Sequence, residues 1–208
     1  MNFTFESRSI GLRPIEEPDY PILLHWRNEE RFLRLFSSRR NIVSLTEFVA
    51  ETKRVLENGP RHIQFVIVRK KDNKVIGTTY SFNLDLTDGY VFINTYMDEE
   101  VERRGYGMIA TLLLIRYLFD SFPIHKIYFE VFAYNELSHS TMKSAEFIEE
   151  GRFKDHRFYG GKRHDVIRLA FYRDAFEKKA RPFIERLCRD PVLTKESKRI
   201  KLKESDRD

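Results

Sequence analysis

The sequence predicts a single mixed α/β domain built on a central sheet with helices packed against it. Two patterns and the composition carry that prediction. Short runs rich in β-branched and aromatic residues alternate with longer runs of helical spacing. A tight glycine turn, Gly105-Tyr106-Gly107, joins one of those strand-like runs (Gly89 to Met97) to an apolar helix-like run (Met108 to Phe119). At 208 residues with 41% hydrophobic side chains, including 18 Phe and 10 Tyr, the chain has the apolar mass for one sizeable core.

In chain order, Ser7 to Pro14 reads as a first strand. Glu17-Pro18-Asp19 opens a helix whose apolar residues, Tyr20 to Trp26, recur at helical spacing. Ser44 and Glu47 form a reciprocal capping pair for a second helix reaching Leu56, which Gly59-Pro60 stops. A meander follows: Gln64 to Arg69, Lys74 to Asn83 and Gly89 to Met97, with polar breaks at Lys71-Asp72-Asn73 and at 85–88. The next helix, Gly107 to Phe119, is apolar on most faces, so it is expected to be buried against the sheet, and Pro123 bars its continuation. Lys126 to Ala133 is a strand, Asn135 to Ala145 a shorter helix, and Phe147 to Phe153 a strand-like return. Gly160-Gly161 marks a hairpin, Val166 to Tyr172 the last strand, and Arg173 to Cys188 the last helix. Residues 1–188 thus form the domain, and 189–208 a basic tail that is expected to be solvated and frayed.

Composition narrows the function classes. No apolar run reaches the ~18 residues that would span a bilayer, and Met1-Asn2-Phe3-Thr4-Phe5 lacks the pattern of a secretory leader. One cysteine, Cys188, allows no internal disulfide, and no Cys/His cluster has zinc spacing, so a reducing cytoplasm and no metal are expected. Net charge is +5, from 37 basic and 32 acidic residues, partly concentrated in the tail at Lys195, Lys198, Arg199, Lys201 and Lys203. That tail could meet a polyanion such as RNA, but no RNA-binding signature accompanies it, so nucleic acid is not an expected partner.

The segment Arg103-Arg104-Gly105-Tyr106-Gly107-Met108 carries the chemistry. Two glycines let the backbone turn tightly and approach a ligand. The helix beyond points its first N–H groups at the turn, with about half a positive charge from its dipole. Phosphate is the favoured guest, and each arginine can add roughly 1.5–3 kcal/mol in a charge-assisted hydrogen bond. The dinucleotide fingerprint Gly-x-Gly-x-x-Gly fails, because position 110 is Ala, and the Walker pattern is absent.

Leu12-Arg13-Pro14 with His25-Trp26-Arg27-Asn28, then Arg104-Gly105-Tyr106-Gly107, then Asn135-x-x-Ser138 with Phe147-x-x-Glu150-Gly151 and Asp165-Val166, follow one another in an order and spacing that resembles the GNAT superfamily of acetyl-CoA-dependent N-acetyltransferases. The likeness covers roughly Ser7 to Phe176 and is greatest to the branch acting on ribosomal-protein alanine, spermidine and aminosugars. It implies a mixed, mostly antiparallel sheet, splayed where acetyl-CoA binds. It implies that Arg103, Arg104, Gly105, Tyr106, Gly107 and Met108 hold the pyrophosphate. The strand end at Tyr96, Met97 and Asp98 would pair with the pantetheine arm, and Asn135 would touch it. Three residues depart from the family pattern. Glu102 replaces the usual Gln or Arg, and a carboxylate beside a pyrophosphate is expected to point away. Glu146 replaces a glycine. Met142 stands where many members carry a tyrosine that protonates the leaving thiolate.

The implied reaction moves an acyl group from a thioester to an amine. An amine of pKa near 10.4 must first lose a proton, costing about 4–5 kcal/mol at pH 7. Glu130, a carboxylate within the apolar strand Ile127 to Phe132, is the expected base, because burial in a cleft would raise its pKa; Asp98 is second. His125 and His164 can also titrate. Ser138 is the expected acid, followed by Tyr134 and Tyr159. Arg27, with Arg39 and Arg40, could contact an anionic acceptor such as a nucleotide-linked aminosugar, and the basic balance disfavours a polycation. The expected partners are therefore acetyl-CoA, a small amine such as an aminosugar, and optionally a second copy of the chain, with no membrane. The alternatives are acetylation of a protein N-terminus or polyamine, or a catalytically weak CoA-binding module that fits Met142.

Overall fold

Eight strands line up as one sheet in the order β1-β2-β3-β4-β5-β6-β8-β7, and seven of the elements around it are helices. The structure is a computed structural model that describes residues 3–36, 41–57 and 59–188. The strands are β1 (Phe5–Glu6), β2 (Ile10–Pro14), β3 (His62–Arg69), β4 (Lys74–Asp85), β5 (Tyr90–Met97), β6 (Lys126–Phe132), β7 (Ile148–Tyr159) and β8 (Lys162–Tyr172). The helices are α1 (Tyr20–Asn28), α2 (Glu30–Leu35), α3 (Leu45–Leu56), α4 (Tyr106–Ser121), α5 (Glu136–Ser144), α6 (Arg173–Ala175) and α7 (Arg181–Cys188), with a π turn, Phe176–Ala180, between the last two.

All neighbouring strands are antiparallel except β5 and β6. That parallel pair is held only from Tyr90 to Phe92, opposite Lys126 to Tyr128, and beyond it the strands part. The crossover between them contains α4, as a parallel connection requires.

The helix α4 is buried along Ala110 to Ile115 and again at Leu118 and Phe119. It packs on Ile93 and Met97 of β5 and on Ile127 and Phe129 of β6, the main core. Each such aliphatic side chain contributes about 1.5–3 kcal/mol when fully buried. Arg173 closes its C-terminal end: the guanidinium donates to the carbonyls of Phe119, Phe122 and Ile124 at 2.7, 2.8 and 2.8 Å. On the opposite face, α1 lays Leu23 and Trp26 over Val66, Val68 and Tyr96. The Ser44–Glu47 capping box is formed, with Ser44 N–H donating to Glu47 Oε2 at 2.8 Å and Glu47 N–H to Ser44 Oγ at 3.3 Å.

Several sequence expectations change. The strand expected from Ser7 begins only at Ile10, and a short additional strand, β1, precedes it across a turn in which Ser7 Oγ accepts from Ile10 N–H at 3.2 Å. A separate helix, α2, follows α1 after Glu29 turns extended. The last hairpin is much longer than Phe147–Phe153 and Val166–Tyr172 suggest, since β7 and β8 run together to the turn at Gly160-Gly161. The last helix is interrupted by the π turn. Arg39, Arg40 and the tail 189–208 lie outside the described residues.

Candidate active site

The divergence of β5 from β6 leaves backbone groups without a strand to pair with. Asp98 N–H donates to Ile76 O at 2.9 Å, so that residue and Tyr96 turn their peptide groups toward β4. Strand alternation then turns those of Thr95 and Met97 into the gap. The gap opens onto the N-terminus of α4, whose first N–H groups have no helical partner.

Gly105 caps α4 in a left-handed conformation, φ 81°. A non-glycine residue there would be strained, although a Cβ would meet nothing within 4 Å. At Gly107, in contrast, a Cβ would come 3.0 Å from Met97 Cγ, so the helix start lies close against the strand end. A chain of threonine hydroxyls fixes this approach. Thr79 and Thr95 are 2.8 Å apart, Thr95 and Thr111 2.9 Å, and Thr111 donates to Gly107 O at 2.8 Å.

Between these parts lies a groove of about 150 Å³. Its walls come from β5 (Thr95, Met97), the glycine turn (Arg103, Gly105, Gly107, Met108), β6 (Phe129) and α5 (Ser138, Thr141, Met142). An extended arm carrying amides fits the edge of β5 that β6 leaves, and a diphosphate fits the turn and helix start. These features suit the donor that the sequence resemblance implies.

Of the residues expected to hold that donor, Met97, Arg103, Gly105, Gly107 and Met108 line the groove. Arg104 is exposed beside it, and Tyr106 packs against the main core. Asn135 caps α5, accepting from Ser138 N–H at 3.3 Å, and lines an adjoining cavity instead. Ser138 does face the groove, joined by Thr141 one turn on, and Met142 is a buried part of its wall.

Glu130 does not. It is exposed on the opposite face of β6 from Phe129 and pairs with Arg168, Oε1 lying 2.6 and 2.9 Å from two guanidinium nitrogens. The burial in a cleft on which its expected role rested is absent. Asp98 accepts from Glu100 N–H at 2.9 Å and from Trp26 Nε1–H at 3.3 Å. Tyr134, Tyr159 and His164 gather in the adjoining cavity with Asn135, and His125 is exposed beside Gly89.

A second cavity, about 430 Å³, lies on the α1–α3 side of the sheet. Aromatic walls come from Trp26, Phe32, Phe36, Phe48, Tyr80 and Tyr96, and its polar groups include Arg27, Glu51, His62, Gln64 and Thr78. Phe36 belongs to both this cavity and the groove. Tyr96, between Thr95 and Met97 on β5, presents its ring to the second cavity while those two line the first. The strand β5 thus stands between them.

His62, which no spacing pattern singles out, is half-buried here and stacks on Tyr80 at 5.7 Å. Burial pushes its pKa below the usual 6.5, against a smaller upward pull from Gln64. It is therefore a neutral imidazole at pH 7. Burial also pushes the Tyr80 phenol up to about 12.

A parallel strand pair parted over a glycine-turned helix start is the mixed α/β arrangement that the sequence resemblance implies for an N-acetyltransferase. The chain belongs to the Acetyltransferase (GNAT) domain family, whose model matches residues 9–148. Enzymes of that family take the acetyl group from acetyl-CoA. The chain is 24% identical over 106 residues to a Bacillus subtilis protein named for ribosomal N-acetylation, YdaF, covering 51% of this chain and 58% of that one. It therefore spans little more than half of that relative. A spermidine N-acetyltransferase from Vibrio cholerae, solved with CoA and spermine, superposes with TM-score 0.75 at 18% identity, over 81% of this chain and 98% of that one. RimL, a ribosomal L7/L12 alpha-N-protein acetyltransferase solved with CoA, gives TM-score 0.72 at 19% identity, over 81% and 97%. Among the described residues no cluster of His, Cys, Asp or Glu could hold a metal ion, and no helix is long and apolar enough to cross a membrane.

Proposed function

We propose that this chain acetylates a primary amine seated in the aromatic cavity, by direct attack on the thioester of acetyl-CoA. The observation that carries this reading is the pair of cavities on either side of β5, which share Phe36. One has the backbone edge and helix start that suit a CoA arm, and the other is open to an acceptor. Acetyl-CoA supplies an acetyl group already activated as a thioester.

Met97 and Thr95 would align the arm along β5, and Gly105 and Gly107 would let the diphosphate reach the α4 N–H groups. His62, kept neutral by burial, is the imidazole lining the acceptor side, and it can take the ammonium proton through water. The amine nitrogen then forms the new bond to the acetyl carbon as the carbon–sulfur bond breaks. Ser138 and Thr141 line the groove, and their hydroxyls would donate to the departing sulfur. A thiol of pKa about 8.5 leaves tolerably even without a strong acid.

The acceptor we favour is an aminosugar or another small amine. The aromatic rings of this wall can stack on the apolar face of a sugar, and Gln64, Thr78 and Arg27 can meet its hydroxyls or an attached anion. Glu51 is the one carboxylate among the lining residues, which gives poor support to a polycation. Acetylation of a protein N-terminus or of a polyamine is the enzymatic alternative. A CoA-binding module of weak activity is a second reading, favoured by Met142 in the groove wall. Calorimetric titration with acetyl-CoA tests the donor, and no binding at millimolar concentration would sink the proposal. Thiol release across a panel of aminosugars, polyamines and peptides then separates enzyme from module.

A further inference from the structure

Glu102 poses an electrostatic problem that the structure resolves with a residue from elsewhere in the chain. It immediately precedes Arg103 and the glycine turn, where its carboxylate would repel a bound diphosphate. It does not point away. It pairs with Arg31, and both side chains line the groove.

Arg31 comes from the first turn of α2, and its side chain is only 13% exposed. One guanidinium nitrogen donates to Met97 O at 2.9 Å, the carbonyl that faces the gap. Another meets Glu102. The guanidinium lies 5.2 Å from the centre of the Tyr96 ring. One side chain from α2 thus ties the end of β5 to the residue that precedes the glycine turn. A guanidinium has five N–H donors in a fixed fork, so it can meet a carbonyl, a carboxylate and a phosphate oxygen together.

We propose that Arg31 is a cofactor-specificity residue: it neutralises Glu102 and offers a guanidinium donor to the diphosphate of CoA. This rests on the reading of the groove as a CoA site. The pairing accounts for an acidic residue at a position where the family carries Gln or Arg. The cation that the turn lacks at 102 is delivered by α2.

The test is a double-mutant cycle on the full chain with two ligands. CoA carries the diphosphate, and pantetheine has the same arm without it. Calorimetry reads CoA, and ligand-observed NMR reads the millimolar affinity expected for pantetheine. Arg31→Ala should weaken CoA ten- to hundredfold and change pantetheine less than threefold. Arg31→Lys, which keeps charge but loses the fork, should fall between. Glu102→Gln should leave CoA binding equal or tighter, and the double variant should regain most of the loss, because the two side chains are coupled. Thermal unfolding without ligand identifies any variant that fails to fold, and Arg31→Lys then carries the comparison. An equal loss for both ligands would overturn the proposal, since Arg31 would then act only through the Met97 carbonyl. So would tighter binding by Arg31→Ala, the signature of a side chain that merely blocks the groove. If the unaltered chain binds no CoA, it is the function that falls.

Discussion

The phenol of Tyr96 donates to Glu29 Oε2 at 2.7 Å, linking the buried middle of β5 to the residue at which α1 ends and α2 begins. The Tyr96 ring is the centre of a cluster with Trp26, Phe32 and Phe36 at 5.5, 5.3 and 5.0 Å. Burial, and then the Glu29 carboxylate, push its pKa above the usual 10, so it stays a neutral donor. Tyr96→Phe should cost about 1 kcal/mol, a single hydrogen bond. Tyr96→Ala should cost about 3–5 kcal/mol, because it empties the partition between the two cavities. Urea unfolding of both variants checks this, and equal costs would show that the ring does not hold the cluster.

His62→Gln should lower kcat/KM by about a hundredfold at pH 7, the low end for loss of a general base. The wild-type profile should fall on the acid side, at a pH below the usual 6.5 of an imidazole, as His62 takes up a proton, and the variant should lose that limb. A variant that retains it would remove His62 as the base. The sign for stability follows from the same depressed pKa. The unfolded chain binds the proton more readily, so the folded state loses stability as pH falls below about 6.5.

Thr111→Val should raise the KM for acetyl-CoA several-fold with little change in kcat. It removes the hydroxyl that joins Thr95 to Gly107 O. The expected stability cost is about 1 kcal/mol. Steady-state kinetics with varied acetyl-CoA reads the split, and a loss confined to kcat would contradict a positioning role.

Asp19→Asn should destabilise the fold by about 3–5 kcal/mol, since it strands a buried guanidinium. Arg13 donates to the two Asp19 oxygens at 2.6 and 2.8 Å, and Glu16 N–H adds a third bond at 2.8 Å. Burial pushes the carboxyl up, but those hydrogen bonds and the Arg13 charge outweigh it, and the pKa ends below 3.8. The pair's contribution is thus complete above about pH 4 and is lost as pH falls through the lowered value. Acid titration of unfolding in both proteins should show a step that the variant lacks.

Met142→Tyr should raise kcat by roughly tenfold or more, since a phenol in the groove wall could protonate the leaving sulfur. The larger ring is expected to cost about 1–3 kcal/mol from overpacking. Stopped-flow thiol release measures it. No gain in a folded variant would show that sulfur departure is not limiting.

The sequence already carried the glycine turn, the capping box of α3 and the succession of the longer strands and helices along the chain, because each has a local signature of spacing or residue type. The face on which Glu130 points had no such signature. Tyr128, Phe129, Val131 and Phe132 make both sides of β6 apolar, so alternation could not assign its charge to the Arg168 side. The length of β7 was hidden likewise: it is an edge strand, exposed on both faces over most of its course, and Lys154-Asp155-His156-Arg157 reads as a loop. Arg31 and His62 are single residues whose roles arise only from long-range contacts, Arg31 to Met97 and Glu102, and His62 within the cavity beside Tyr80.

The short seam between β5 and β6 has a mechanical consequence. With pairing limited to Tyr90–Phe92 against Lys126–Tyr128, the sheet is two leaves joined by a short seam at one end. One leaf carries the aromatic cavity, and the other, with β8 and β7, backs the groove through Phe129. An arm laid along Thr95 and Met97 would act as the missing rung between them. The donor would then stiffen the protein as well as react: at a hundred times its Kd it adds about 2.7 kcal/mol to stability. Much of that gain should be felt as resistance of the leaves to opening.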